Sequence, residues 1–310
     1  MNIDVIIPTY KPGRLFLEAM DMLARQTHAP GKIIIVNTGA RFFAEVMDEG
    51  EFLRKYPGSA VFHVGEAEFD HGRTRNFAVA QSAAEAFVMM TQDAVPFDEF
   101  LLENLARGLN GADKIAVCYG RQLPSMGSDE LERFIRGFNY GDVALVKTEA
   151  DVPRLGIKTY FCSNVCAVYR REVFDRLGGF ANHVLFNEDM LYAAKALKSG
   201  YAIRYEPAAA VCHSHDYTYR QQFRRNFDNG ASHALYSEVF AGLAPETEGR
   251  RLIQAAVRHL VRKGKPWLIA KLFWQSLAKY RGFRLGLRVQ SLPRERVLKC
   301  TNNPTYWGEL

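Results

Sequence analysis

The chain has 310 residues and a net charge of +6. Its 48% of apolar and 24% of charged residues are ordinary for a globular enzyme. Its length suits one large domain plus an appendage. No run of about 18 apolar residues predicts a membrane-spanning helix, and no charged segment precedes the first apolar residues, so we expect no signal peptide. The five scattered cysteines favour reduced thiols in a cytosolic protein over a disulfide framework.

Short apolar strands alternate with helical segments through the first ninety residues. The apolar runs predict strands at 3–8, 32–36, 60–64 and 86–90, and the spacing predicts helices from residue 15 onward and at 72–86. This alternation predicts an α/β fold with a mainly parallel central sheet and helices on both faces.

The pattern loosens after a strand predicted at 115–119. Residues 120–160 are rich in Gly, Asp, Pro and aromatic residues, and they predict a long functional loop with one short helix. Later elements are predicted as strands at 162–169, 202–205 and 209–212 and as helices at 171–177 and 188–199. The chain beyond 221 is helical and basic. A boundary near 242–249 divides it into a domain at 1–241 and an extension at 242–310.

Two sets of carboxylates stand at the ends of predicted elements. Asp93 follows the strand at 86–90, where a single carboxylate meets the needs of Mg²⁺ or Mn²⁺ bound to a diphosphate. The alternative for Asp93 is a helix N-cap. Glu188 and Asp189 open a helix, and one of them is a candidate general base. Their alternative is a favourable interaction with the helix dipole.

Two histidines follow the last predicted strand. His213 and His215 alternate, so on a strand they would share one face. A zinc site with Cys212 is not favoured, because Cys212 would point to the other face and no fourth ligand is evident. We expect a single histidine to complete a Mg²⁺ or Mn²⁺ shell beside Asp93; the alternative for either histidine is a structural role.

Two groups of cationic side chains are candidates for anion binding. His71, Arg73 and Arg75 surround a predicted helix start, and helix N-termini with nearby arginines bind anions. Arg224 and Arg225 form a second pair that suits a diphosphate. The alternative for both groups is a solvated surface.

The order of these motifs resembles the family 2 glycosyltransferases of GT-A fold over residues 3–230. The nearest likeness is to bacterial rhamnosyltransferases of cell-surface polysaccharide synthesis. The strings that carry it lie at 69–76, 91–94, 119–124, 163–165, 213–218 and 223–225. The resemblance implies a Rossmann-like GT-A domain, followed by the basic helical extension.

The resemblance also implies roles for individual residues. Asp189 matches the catalytic base, with Glu188 beside it, and Asp93 and His213 match the metal ligands. The implied contacts of the nucleotide-sugar donor are Pro8, Thr9, Tyr10, Asn37, His71, Arg73, Arg75, Gln92 and Arg225. The implied contacts of the acceptor are Arg121, Gln122 and Asn164.

The implied reaction is an inverting transfer from a nucleoside-diphosphate sugar, with dTDP-L-rhamnose as the expected donor and a saccharide or lipid-linked acceptor. Thr91 stands where many relatives have an Asp, so the diphosphate is expected to carry much of the metal binding. Asn37-Thr38 replaces a common Asp-Asp, so a UDP- or GDP-sugar stays open as donor. A sugar nucleotidyltransferase is the further alternative. It should carry a Gly-rich phosphate loop, which residues 8–13 are not.

The positive charge is confined to the C-terminal segment. Residues 250–299 hold 14 Lys and Arg against one acid, Glu295, a charge of +13 that leaves −7 for the rest. Tryptophans lie among these cations, which predicts an anionic membrane surface as partner, at the cytoplasmic face of the cell membrane. The alternative is packing on the catalytic domain or on a second subunit in a homo-oligomer. Nucleic acid is not an expected partner, because it would leave the Asp, Glu and His clusters without a purpose.

Overall fold

Buried strands and amphipathic helices alternate in the computed structural model, which describes residues 1–112, 114–243 and 245–308. The strands are β1 Ile3–Tyr10, β2 Ile33–Thr38, β3 Ser59–Val64, β4 Ala86–Met90, β5 Val95–Pro96, β6 Ile115–Leu123, β7 Leu145–Lys147, β8 Cys166–Arg170 and β9 Ala202–Cys212. The helices are α1 Arg14–Leu23, α2 Ala40–Ala44, α3 Glu49–Lys55, α4 His71–Ala80, α5 Leu101–Leu109, α6 Glu130–Asn139, α7 Val152–Leu155, α8 Arg171–Arg176, α9 Glu188–Lys198, α10 Tyr219–Leu235, α11 Ser237–Phe240, α12 Pro245–Arg262, α13 Leu268–Gly286 and α14 Arg294–Cys300.

The strands form one sheet in the order β3-β2-β1-β4-β8-β6-β9-β5, and β7 also pairs with β9. The run β3-β2-β1-β4 is parallel, as predicted, and so is the pair of β6 and β9. The other half is mixed, because β8 runs antiparallel to both β4 and β6. The carboxyl ends of β1, β2 and β4 meet at one edge, which is where open α/β sheets bind their ligands.

Alternate side chains of the parallel strands pack into two cores, one on each face of the sheet. Val5 and Ile7 of β1 pack with Phe16 of α1 on one face. Ile6 packs on the other face, in the same core as Val79 of α4. Strands that are covered on both faces bury every position, which explains their unbroken apolar runs.

Residues 120–212 hold more regular structure than the sequence pattern predicts. β6 extends to Leu123, and α6, β7 and α7 lie within the predicted loop. The strands predicted at 202–205 and 209–212 are one strand, β9, whose register with β6 shifts between Gly120 and Arg121. Pro207 and its neighbours account for the shift, because a residue without an amide hydrogen is accommodated at a bulge.

Glycines bring α13 into backbone contact with α10. A β-carbon added to Gly282 would lie 2.2 Å from the carbonyl oxygen of Phe223, and one added to Gly286 would lie 2.1 Å from that of Phe227. The two helices can approach this closely only because hydrogen replaces a side chain at these positions.

Helices α12 and α13 also pack on α6. His259 Nε2 lies 2.6 Å from Glu130, and Lys271 Nζ lies 2.7 Å from Asp129. Leu131 is buried beneath both helices. The basic segment therefore directs part of its apolar surface inward. Among the residues that the structure describes, no helix combines the length and apolar character needed to span a membrane.

Candidate active site

The ends of β1 and β2 form a polar floor at the edge of the sheet, beside Pro8. The Thr9 hydroxyl donates to Asn37 Oδ1 at 3.1 Å, and both residues are buried. The Gln92 amide brackets the backbone of Tyr10, accepting from its N–H at 2.9 Å and donating to its C=O at 2.9 Å. The fold brings these five predicted donor contacts together, and it leaves the Tyr10 ring exposed.

Asn37 has a second set of contacts that the sequence did not reveal. Its Nδ2 donates to the carbonyl oxygen of Gly39 at 2.9 Å and lies 3.1 Å from His63 Nδ1. An amide here makes contacts that an aspartate could not, because Nδ2 is a donor. The Asn37 amide is thus part of the local hydrogen-bond network.

The start of α4 presents cationic groups toward the same edge. Asp70 caps the helix by accepting from the N–H groups of Gly72 and Arg73. The Arg73 side chain is exposed and donates to the Glu68 carbonyl at 2.8 Å. Arg75 is buried, and its Nε lies 3.2 Å from Glu188 Oε1. Of the two arginines, Arg73 is thus the accessible one.

His71 lies at the same helix start and connects it to the carboxylates. Its carbonyl oxygen accepts from Arg75 Nη1 at 2.8 Å. Burial lowers the pKa of its ring. His71 and Arg75 therefore form one contact network with Glu188.

The carboxylate pair is held by the loop before β8. Asn164 Nδ2 donates to Glu188 Oε1 at 3.0 Å, and its backbone N–H donates to Asp189 Oδ2 at 3.0 Å. Tyr169 donates to Asn164 Oδ1 at 2.6 Å. Asn164 is buried, and both the oxygen and the nitrogen of its amide are hydrogen-bonded. This predicted acceptor contact therefore holds the carboxylates in the structure.

The residue before the pair adopts a rare conformation. Asn187 has φ 69° and ψ 29°, in the left-handed region, and its Nδ2 donates to Asn229 Oδ1 at 2.8 Å. Asparagine tolerates this region better than other side chains, and such backbone clusters at functional sites. It turns the chain so that Glu188 and Asp189 begin α9 on the buried side.

The two carboxylates titrate in opposite directions. Burial and the neighbouring charge of Glu188 raise the pKa of Asp189 to about 7. Burial opposes the ionisation of Glu188, but the charges of Arg75 and His71 and the Asn164 hydrogen bond outweigh it and lower its pKa. Glu188 therefore carries the negative charge, and Asp189 takes up a proton near neutrality.

Asp93, His213 and His215 form a compact group at the end of β4. His213 Nε2 lies 3.4 Å from Asp93 Oδ1, and His215 Nε2 lies 3.5 Å from Oδ2. One ligand atom from each residue falls within 4.8 Å of the others. His215 was not a predicted ligand: both histidines lie beyond the end of β9, and the loop turns their rings to a separation of 4.4 Å.

This group favours an ionised Asp93. Burial opposes its ionisation, but the contacts with His213 and His215 outweigh it, so the pKa of Asp93 lies well below its usual value. Burial also lowers the pKa of His215 to about 4, which keeps its ring neutral at pH 7. A carboxylate with imidazole nitrogens is a suitable ligand set for a divalent cation.

Gln122, a predicted acceptor contact, instead lies buried behind His213. Its Oε1 accepts from Arg136 Nη1 at 2.6 Å and lies 3.0 Å from His213 Nδ1, while its Nε2 donates to Ser163 Oγ at 3.0 Å. Because arginine only donates, the shared atom is the carbonyl oxygen, and His213 Nδ1 must donate to it. In neutral His213 the lone pair then resides on Nε2, facing Asp93.

Two further predicted residues border the site. Arg225 of α10 is exposed, and its guanidinium stacks over Phe186 at 4.9 Å and over Tyr217 at 5.8 Å from the ring centres. Tyr217 stacks in turn on His215 at 4.6 Å. Arg121 is half-buried, and its Nε finds no hydrogen-bond partner among the described residues. Arg225 thus stands at the rim near the histidines.

The arrangement joins two chemical centres. The loop at 163–164 touches both, since Ser163 contacts Gln122 behind the histidines and Asn164 holds the two carboxylates. One centre suits a cation, and the other suits a carboxylate that takes a proton. Together with the polar floor of β1 and β2, this chemistry suits group transfer from a phosphorylated substrate.

Comparison with known proteins agrees with this geometry. Residues 4–178 match glycosyl transferase family 2. The whole chain is 37% identical over 314 residues to the O-antigen chain rhamnosyltransferase RfbN of Salmonella typhimurium, covering 97% of that protein. It is 36% identical to the O-antigen chain rhamnosyltransferase WbaN of Salmonella anatum, over 99% of this chain and 96% of that protein.

The chain belongs to glycosyl transferase family 2. It is an inverting glycosyltransferase, so the predicted family and class of enzyme are confirmed.

Solved structures agree on the fold. The mannosyltransferase PcManGT from Pyrobaculum calidifontis, in complex with GDP-Man and Mn²⁺, aligns with a TM-score of 0.57 at 18% identity, over 99% of this chain and 84% of that one. TarS 1–349 of S. aureus aligns with a TM-score of 0.51 at 16% identity, over 94% of this chain and 92% of that one. The predicted GT-A fold of this glycosyltransferase is confirmed.

Proposed function

We propose that this glycosyltransferase moves L-rhamnose from dTDP-L-rhamnose to a saccharide or lipid-linked acceptor in the synthesis of a bacterial surface polysaccharide. The proposal is carried by the pairing of a proton-accepting carboxylate with a candidate cation centre, which the hydrogen bonds of Asn164 and Ser163 connect. The sugar is inferred from two O-antigen chain rhamnosyltransferases that are 36–37% identical over almost the whole chain.

Asp189 is the proposed general base. It accepts the proton of the acceptor hydroxyl as that oxygen attacks the anomeric carbon from the face opposite the diphosphate. Its raised pKa suits this exchange, because a base works best when its pKa is near the working pH. Glu188, paired with Arg75 and held by Asn164, is the proposed charged neighbour that raises this pKa.

Asp93, His213 and His215 are the proposed metal ligands. If these residues hold a divalent cation, it would supply positive charge beside the diphosphate leaving group. The two imidazoles favour Mn²⁺ over Mg²⁺, since Mg²⁺ prefers oxygen ligands. Thr91 in place of a first Asp is consistent with this set, because His215 adds a third protein ligand.

The donor is proposed to lie across the ends of β1 and β2. Thr9 and Asn37 line the floor for the nucleoside, and the exposed Tyr10 ring offers a face for its base. Arg73 and Arg225 are the proposed diphosphate contacts, because both guanidinium groups are exposed.

The functional test is a thermal-shift panel of dTDP-, UDP- and GDP-sugars, each with and without Mn²⁺ or Mg²⁺. A ligand that binds only the folded state raises the melting temperature. We expect dTDP-L-rhamnose with Mn²⁺ to give the largest rise. A larger rise with a UDP- or GDP-sugar would overturn the donor, and no rise with any nucleotide would overturn the site.

The exposed face of α13 is the proposed contact with the membrane, at its cytoplasmic surface. Trp267, Phe273, Trp274 and Tyr280 are each more than half exposed, on the segment that carries a charge of +13. Aromatic and cationic side chains together suit the headgroup region of anionic lipid.

Co-sedimentation with lipid vesicles tests this face. We expect binding to vesicles that contain phosphatidylglycerol and little binding to phosphatidylcholine alone. Trp274→Ser should weaken the binding. Phe97→Ser should not, although Phe97 is equally exposed, because it lies outside the basic segment. Equal binding to both kinds of vesicle, or to neither, would refute the proposal.

A further inference from the structure

We propose that residues 301–307 position the loop that leads into α9 and its candidate base, Asp189. This segment, which we call the C-terminal strap, lies far in sequence from residues 4–178, which match glycosyl transferase family 2. The inference rests on the proposed role of Asp189 as general base.

The strap is anchored to α10 through one buried carboxylate. Asp228 accepts from the Thr301 hydroxyl at 2.5 Å, from the Asn302 N–H at 2.9 Å and from Asn303 Nδ2 at 3.4 Å. Asp228 is buried, so without these donors its oxygens would lack compensation for lost water. This anchor fixes the strap against the helix next to Asn229.

From this anchor the strap reaches the loop at 181–187. Tyr306 stacks on His183, with ring centres 4.5 Å apart and planes at 14°. Trp307 is buried in the same apolar cluster as Leu185. Two aromatic side chains of the strap thus pack at this loop, one on His183 and one in the cluster of Leu185.

The loop needs such support because its backbone is strained at two residues, His183 and Asn187. His183 has φ 52° and Asn187 has φ 69°, and a left-handed conformation is unfavourable for both residue types without surrounding contacts. Strained backbone persists only where neighbours over-determine it. Tyr306 supplies such a contact to His183, and Asn229 supplies one to Asn187.

Other contacts hold the middle of the loop. Asp70 Oδ2 accepts from the Val184 N–H at 2.9 Å, and the Ser232 hydroxyl donates to the Phe186 carbonyl at 2.6 Å. The strap therefore completes a ring of contacts from α4 and α10. Since Asn187 directly precedes Glu188 and Asp189, a relaxed loop would misplace both carboxylates.

The test compares Tyr306→Ala with Tyr306→Phe, which keeps the ring, and with Thr305→Ala, an exposed neighbour in the strap. Amide hydrogen exchange is measured by mass spectrometry over residues 182–190. In Tyr306→Ala we expect exchange there to be faster by about tenfold or more, with the helix interior of α5 unchanged. The two control variants should exchange like wild type.

Kinetics provide the second readout. We expect Tyr306→Ala to lower kcat by about tenfold or more while KM for the donor changes by less than about threefold, because the base is displaced and the nucleotide floor is intact. Tyr306→Phe should restore kcat. If Tyr306→Ala does not fold, Tyr306→Leu, which keeps an apolar contact without the ring, is judged by the same criteria.

Two results would overturn the positioning role of the strap. One is exchange at 182–190 in Tyr306→Ala at the wild-type rate, and the other is faster exchange there with an unchanged kcat. The exchange measurement needs no substrate. A protein that fails to use dTDP-L-rhamnose but shows the exchange response would therefore refute the donor and leave the strap supported.

Discussion

Gln122 offers a sharp test of the cation centre, because it contacts a proposed ligand and not the metal itself. Its Oε1 lies 3.0 Å from His213 Nδ1 and 2.6 Å from Arg136 Nη1. Gln122→Met keeps the length of the side chain and removes the acceptor. The buried His213 N–H would then lack a partner, at a cost of about 1–3 kcal/mol. Loss of an outer contact of this kind weakens metal binding by about 10–100-fold.

We expect the Kd for Mn²⁺, measured by electron paramagnetic resonance of the free ion with saturating dTDP, to rise by about 10–100-fold in Gln122→Met. Gln122→Glu keeps an acceptor for His213 and should stay within about threefold of wild type. Gln254→Met makes the same chemical change on the exposed side of α12 and is the control. Unchanged Mn²⁺ affinity in Gln122→Met, with the fold intact, would refute the tautomer argument.

Three further outcomes follow from the geometry. The base acts in its ionised form, so kcat should fall as the pH drops through about 7, the pKa to which burial and Glu188 raise Asp189; a fall only near pH 4, the ordinary value for aspartate, would contradict this. Asn187→Ala should lower the free energy of unfolding by about 1–2 kcal/mol more than Asn187→Gly, because only glycine adopts the left-handed conformation freely. Equal free energies of unfolding for the two variants in urea titrations would show that the backbone at this position is not strained. Gly282→Ala should destabilise the fold by about 1–3 kcal/mol through its clash with α10. Gly249→Ala, in open space on α12, should stabilise it by about 0.5–1 kcal/mol. A change of the same sign in the free energy of unfolding of both variants, measured in urea titrations, would refute the close crossing of α13 and α10.

The parallel half of the fold was predictable because its strands are buried on both faces. Ile6 and Ile7 pack into opposite cores, so the whole strand is apolar and easily distinguished from its neighbours. Short or interrupted strands carry no such signal. β7 has only three residues, and Pro207 divides the pattern of β9 although the backbone continues through it.

The candidate site was predictable where residues stand at element ends. Asp93 follows β4 and Asp189 opens α9, and each lies at the sheet edge as the topology requires. His215 was not predictable as a ligand, because a loop and not a strand directs its ring. Nor were the contacts of Gln122 and Asn164, because only the folded chain brings them behind His213 and Glu188.

The basic segment shows why composition alone is ambiguous. Its charge and aromatic residues predict a surface partner, yet Leu260 and Leu272 are buried against α6. The glycines that bring α13 onto α10 have no periodic signature in the sequence, since their effect depends on the partner helix. The two faces of α13 therefore have different roles, one packed inward and one exposed.

The proposed role of Asp189 is to accept the proton of the acceptor hydroxyl during transfer from dTDP-L-rhamnose. The direct test measures transfer of labelled rhamnose to a lipid-linked saccharide fraction by wild type and Asp189→Asn, with donor affinity measured on both. We expect Asp189→Asn to bind the donor within about threefold of wild type and to turn over about 10²–10⁴-fold more slowly. Residual transfer within about tenfold of wild type would show that Asp189 is not the base.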